Sequence, residues 1–119
     1  MVGGHMTIFS DVKDALGINL EDEAFDTRIK MHLETELAVL GQLGVFEDQS
    51  KFDLDILSWD DLDKRSRDPG NQHFSMIKNY LLLRSQLVFD PPNGSVLSYQ
   101  EGITKELTWR IREAYFEKE

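Results

Sequence analysis

The chain contains no cysteine, which removes disulfide frameworks and thiolate chemistry and fits a reducing compartment. It has no run of about 18 consecutive apolar residues, so no membrane-spanning helix is expected. The N-terminus lacks the basic-then-apolar pattern of a secretory signal. Basic side chains are scarce relative to acidic ones, 13 against 22, and the net charge is -9. Gripping nucleic acid needs clustered Lys and Arg to neutralise phosphates, and binding anionic lipid needs the same sign of charge. Neither is expected here. An acidic surface does suit nucleic acid that must slide past without sticking, and it also keeps copies of the protein apart. The three histidines, His5, His32 and His73, share no ligand spacing, so no zinc site is expected and His32 reads as a helix-surface residue. No glycine-rich phosphate loop and no nucleophile elbow is present. The expectation is therefore no enzyme and no cofactor.

What remains is enough for one modest core: 119 residues, 40% of them hydrophobic. The opening MVGGHM holds two glycines and no amphipathic period. Residues 1–5 read as a vector remnant ahead of a native start at Met6, and 6–119 as a single helical domain.

Apolar spacing then predicts helices in succession. Ser10 opens SDVKDALG as an N-cap, Val12, Ala15 and Leu16 share a face, and Gly17 stops a short helix over about 10–16. Phe25, Ile29, Leu33, Leu37 and Leu40 form one stripe of a helix over about 22–41, with acids crowding its start and Gly41 and Gly44 at its exit. Residues 46–73 have many acids, few regular repeats and a DPGN turn. Phe52, Leu54, Ile56, Leu57 and Trp59 are expected to dock on the core as a short helix or an extended segment, and the rest reads as a long acidic loop. A second long helix follows, capped by Asn71, with Phe74, Ile77, Leu81 and Val88 on one face and Met76, Tyr80, Leu83 and Leu87 beside it. That wide apolar arc marks a central helix. It must end near Phe89, because Asp90 precedes Pro91 and is driven out of helical geometry, and Pro92 stiffens the exit. Ser95 then caps a last helix with Leu97, Ile103, Leu107, Ile111 and Ala114 in one stripe. The fold class is all-α: a small bundle of four or more helices, with a long acidic loop and a C-terminal helical hairpin broken at Asp90-Pro91-Pro92.

Few groups of residues suggest chemistry. Asp53, Asp55, Asp60, Asp61 and Asp63 are a cluster of hard oxygen ligands, but the calcium-loop pattern fails at its glycine and at its final glutamate. A solvated acidic loop is the simpler reading. Arg84 interrupts an apolar helix and either snorkels from its edge or pairs with an acid such as Asp90 or Glu106. Glu34 and Glu36 lie on different sides of their helix and do not read as a catalytic pair. Trp109, Tyr115 and Phe116 fall off the last helix's stripe. They either pack that helix on a second side or form an interface, where aromatics are enriched.

The run KNYLLLRSQLVFDPPNGSVLSYQEGITKELTWRIREAY, residues 78–115, resembles the C-terminal half of the small head–tail connector (adaptor) proteins of tailed bacteriophages and prophages. The matching residues are Tyr80, Leu83, Phe89, Asp90, Pro91 and Pro92, then Ile103, Glu106, Leu107 and Arg110. LGI at 16–18 and LGQLG at 40–44 extend the likeness over most of 8–116. The resemblance implies a structural virion protein that forms a homo-oligomeric ring beneath the portal. That ring extends the DNA channel, helps retain the packaged genome and offers a docking surface for the tail. Implied partners are further copies of itself, the portal protein and a tail-completion or stopper protein. DNA passes without sequence-specific binding, and no membrane is involved. The implied location is the head–tail interface of the virion, after assembly in the host cytoplasm. Arg84, Trp109, Arg110, Arg112, Tyr115 and Phe116 become candidate interface residues, and the acids of 47–63 become candidates for the lumen or the tail-facing side. Two other readings stand beside it. One is a small acidic helical adaptor or regulator that binds a single partner protein, as a DNA mimic does. The other is a metal-dependent enzyme built on the acid cluster.

Replacing both prolines, Pro91→Ala with Pro92→Ala, is expected to let the helix run on past Phe89 and misdirect the last one. Melting temperature and assembly measured on the double variant check this, and unchanged values of both would remove the assigned role of the break.

Overall fold

The computed structural model describes residues 7–47 and 51–116, with the side chain of Phe116 outside the description. The vector-remnant assignment of 1–5 lies outside the described residues. Five helices are present among them: α1 (Ile8–Ala15), α2 (Asp26–Gln42), α3 (Trp59–Lys64), α4 (Phe74–Phe89) and α5 (Gly94–Phe116). The all-α class holds, and the β-type pairing among the described residues is an isolated antiparallel bridge between Thr7 and Ser58.

Local sequence explains each helix end, and corrects several expected ones. Thr7, not Ser10, is the N-cap of α1: its hydroxyl accepts from the Ser10 N–H at 3.0 Å, while the Thr7 N–H donates to Ser10 Oγ at 3.1 Å. This reciprocal pair satisfies two donors that helix geometry leaves open. Gly17 and Gly44 end α1 and α2 in the left-handed region, at φ 76° and 98°. Behind each, the next residue donates back across the turn, Ile18 to Lys13 O at 2.9 Å and Val45 to Leu40 O at 3.0 Å. A side chain at φ near +80° is strained, which is why glycine stands there. Gly41, expected at the exit, stays inside α2.

The start of α2 falls at Asp26 rather than near 22. Asn19 and Asp22 turn their side-chain oxygens onto the N–H groups of Glu21 and Ala24, at 2.9 and 3.0 Å. Such local side-chain bonds compete with the helix ladder and hold 19–24 as a turn. Phe25 is consequently outside the apolar stripe and partly exposed. The turn closes over Lys13, which is 1% exposed. Its ammonium reaches Leu20 O at 3.1 Å, Asp22 O at 2.7 Å and the Asp26 carboxylate at 2.8 Å. Two of its hydrogens go to main-chain carbonyls, and the Asp26 carboxylate stands beside it as the counter-charge.

Helix α4 is the hub, packing against α1, α2 and α5. Ile77, Tyr80 and Leu81 are buried from α4 against Ile8 and Val12 of α1, Ile29, Leu33, Leu37 and Leu40 of α2, and Ile111 and Tyr115 of α5, in one continuous core. Val88, expected on that face, is half exposed. Asn71 supports the start of α4 without being its N-cap: its Oδ1 accepts from the His73 N–H at 2.7 Å, and its carbonyl from Phe74. The helix ends at Phe89 as the prolines require, with Asp90 at φ −149° making the last bond back, to Gln86 O at 2.8 Å. Gly94, at φ 56°, rather than Ser95, opens α5.

Within the acidic region, the described residues 51–73 include one short helix, α3, one of the two forms expected for the docking segment. Ser58 caps α3 through the Asp61 N–H at 3.1 Å. Leu54, Leu57 and Leu62 are buried, Phe52 and Trp59 pack against the core, and Ile56, expected to dock, points outward. The Ile8 N–H bonds Leu57 O at 2.9 Å, and the Trp59 indole N–H bonds Asp11 at 2.6 Å, so this strap is tied across α1.

Lys13→Met is expected to lower stability by about 2–4 kcal/mol, less than a fully buried pair because Asp26 keeps some water contact. A urea unfolding curve compared with the unsubstituted chain measures it.

Candidate interaction site

Two places stand out in this bundle: a largely buried polar cluster between α2 and α4, and the outer face of α5. The cluster forms because Glu36 points inward from α2 despite its charge, and is buried. Its Oε1 accepts from the Tyr80 hydroxyl at 2.6 Å, and its Oε2 from Arg84 Nε at 3.2 Å. A buried carboxylate is tolerated when its lone pairs are filled and a cation stands beside it. Arg84 thus pairs with Glu36 rather than with Asp90 or Glu106, and keeps about a third of its side chain in solvent. His32 completes the cluster instead of lying on the helix surface. Its side chain is 8% exposed, with Nε2 at 3.1 Å from Ser85 Oγ and the ring edge-to-face against Phe89 at 5.4 Å.

These surroundings shift proton affinities in opposite senses. Burial holds the His32 imidazole below its ordinary value, and Arg84 adds to this while Glu36 opposes it. Burial, with the bond to Glu36, raises the Tyr80 phenol. Tyr115 is pushed up to about 12 by burial, with Asp63 and Asp68 adding their negative potential.

On α5 the structure separates residues that the sequence grouped. Tyr115 is fully buried in the core and is withdrawn from the candidate interface. It stands four residues after Ile111, one helical turn on the same face, so it continues the stripe. Trp109 is 61% exposed and borders a shallow groove of about 350 Å³ with His73, Met76, Arg110, Glu113 and Ala114. Arg110 donates to Glu106 at 2.7 Å through both Nε and Nη2 and lies outward, as Arg112 does. Phe116 is named among the candidates, but its side chain lies outside the described residues. At the other end of the hairpin, Val88, Val96 and Tyr99 are exposed as well. Apolar spacing puts Val88 on the core face and does not single out Val96 or Tyr99.

The five acids do not converge. Asp53 caps its own turn through the Asp55 N–H, Asp55 pairs with Lys30 at 2.6 Å, and Asp60 with Lys64 at 3.0 Å. Asp61 is exposed on α3, and Asp63 accepts from the Gly70 N–H. Among the described residues, no group of three or more His, Asp or Glu is placed to hold a metal ion. No described helix is long and apolar enough to cross a membrane.

A bundle with a closed core, an outer helix that carries exposed aromatic and charged side chains, and a proline-set corner carries the features of the resemblance noted above. The profile of a phage connector protein family matches residues 8–118. The chain belongs to that family. No curated protein and no solved structure matches it. The phage connector protein family is a structural one, which gives this chain a structural role in the virion. The FDPP corner and both ends of its hairpin lie within the matched span.

Both core tyrosines hold their protons more tightly in the folded chain than in the unfolded one. The folded state therefore binds more protons above pH 10, and the associated stability is complete below that and lost as pH rises toward 12. Urea midpoints between pH 9 and 12, followed with tyrosinate absorbance, are expected to fall over that interval.

Proposed function

We propose that this chain is the repeating subunit of a head–tail connector ring, seated under the portal of a tailed-phage particle, where it extends the DNA channel and offers a docking surface to the tail. Residues 6–119 act as one connector domain. What carries the reading is the family match over 8–118. Ring formation is further supported by apolar surface that the subunit's own core does not cover. Val88, Val96 and Tyr99 are exposed near the corner, and Trp109 is exposed farther along α5. Tyr99 and Trp109 are separated by about 15 Å of helix at 1.5 Å per residue. A head-to-tail ring needs two different patches on each subunit, and these are two. Arg110 and Arg112, which lie outward on the same helix, are candidate contacts to the portal, with Trp109 at the junction of the ring contact and the portal contact. Arg84, engaged with Glu36, serves the interface by holding α4 on α2 rather than by reaching a partner. The net negative charge suits a channel through which DNA slides without adhering. The acids of 53–63 are candidates for the lumen or the tail side.

Trp109→Ala tests the assignment in cells carrying the parent phage. Tagged unsubstituted protein is expected to co-purify with a portal or tail-completion protein. Trp109→Ala is expected to reduce that recovery at least tenfold at an unchanged melting temperature, since the side chain is exposed. Recovery of a DNA-binding regulator in a 1:1 complex, with no virion component, would turn the assignment to the acidic adaptor.

A further inference from the structure

The hydroxyl of Ser85 has one hydrogen, and it donates this to Leu81 O at 2.8 Å. The 3.1 Å contact from His32 Nε2 to Ser85 Oγ must then be a ring N–H donating to the oxygen. That fixes the neutral tautomer: the proton sits on Nε2 and the lone pair on Nδ1. Nδ1 faces Glu36 Oε2 at 3.9 Å. Two acceptors thus face each other across a gap slightly too long for a hydrogen bond. The charged groups felt at the ring are Glu36, one turn along its own helix, and Arg84 from α4. Tyr80, also on α4, reaches the ring through Glu36. On its other side the ring meets Phe89, the last residue of α4 before the proline corner.

We propose that His32 is an acid-operated latch between α2 and the Asp90-Pro91-Pro92 corner: a proton gained at Nδ1 draws the ring toward Glu36, off Ser85 and Phe89, and changes the direction in which α5 leaves α4. The proton comes from solvent and stays on the ring, which keeps its Nε2 hydrogen. The new N–H donates to Glu36 Oε2, already shared with Arg84. Closing 3.9 Å to a charge-assisted distance of about 2.8 Å moves the ring edge by about 1 Å. A packed core does not absorb that smoothly, and the neighbour free to yield is the half-buried Phe89 at the helix end. Because α5 is joined to α4 by this corner and rests on α4, re-aiming the corner re-aims the exposed face of α5. The latch is set at neutral pH and released as pH falls below the ordinary imidazole range, since the folded chain holds His32 neutral there.

The test uses the full chain labelled with ¹⁵N. Imidazole nitrogen shifts at pH 7.5 are expected to place the neutral proton on Nε2. On acidification toward pH 5, the amide signals of Val88, Phe89, Asp90 and Asn93 to Leu97 are expected to move with the midpoint of the His32 ring. In His32→Gln that shared transition is expected to vanish. A neutral proton on Nδ1, corner amides that stay still while the ring titrates, or a corner transition that survives His32→Gln would each overturn the latch. If His32→Gln does not fold, the tautomer and the shared midpoint in the unsubstituted chain decide it.

Discussion

A proline has no backbone N–H to give, and it forces the residue before it out of helical geometry. Two in succession after Asp90 make Phe89 the last place where α4 can end. Much follows from that limit. It sets the length of the hub helix and therefore how much of α1 and α2 it can cover. It restricts the exit of α5 with little loss of chain entropy, so the longest helix of the chain returns along α4. The same corner leaves Val88 and the first turns of α5 beyond the reach of α1 and α2, which places apolar side chains in solvent at the hairpin's end.

The second constraint is charge inside the core. Lys13 and Glu36 are both buried, and each is satisfied by a local cage rather than by water. Lys13 ties the 19–24 turn to α1, and Glu36 ties Tyr80 and Arg84 of α4 to α2. Removing one partner from such a cage leaves the other desolvated and alone, so these contacts select one arrangement of helices more than they add net stability. The apolar stripes bring α1, α2 and α4 together, and the two cages define their register.

Apolar spacing and proline chemistry were legible from residues alone. The helix class, the end of α4 at Phe89, its central place and the docking of Leu54, Leu57 and Trp59 all follow from local rules. What escaped were features set by distant partners. Nothing in the residues next to Lys13 marks it for burial; the turn that folds over it does. Spacing sets Glu36 only on the side of its helix away from Glu34; its burial depends on Tyr80 and Arg84, more than forty positions away. His32 was placed on the surface for the same reason. Tyr115 was misplaced by a different error: counted against Ala114 it falls off the stripe, whereas counted from Ile111 it lies on it. The helix starts were missed where Asn19, Asp22 and Thr7 use their side chains on nearby N–H groups, a competition that apolar spacing does not register.

The cage around Lys13 has a consequence for how this chain can vary. Two of its three oxygen partners, at Leu20 and Asp22, are main-chain carbonyls, which every amino acid supplies. The anchor therefore constrains the identity of positions 13 and 26 and leaves 20 free, and Leu20 already turns its side chain outward, 58% exposed. The turn is a fixed frame with a partly interchangeable surface: outer residues other than Asn19 and Asp22, whose side chains hold the turn, can change to meet a different neighbour while its path over α1 stays the same.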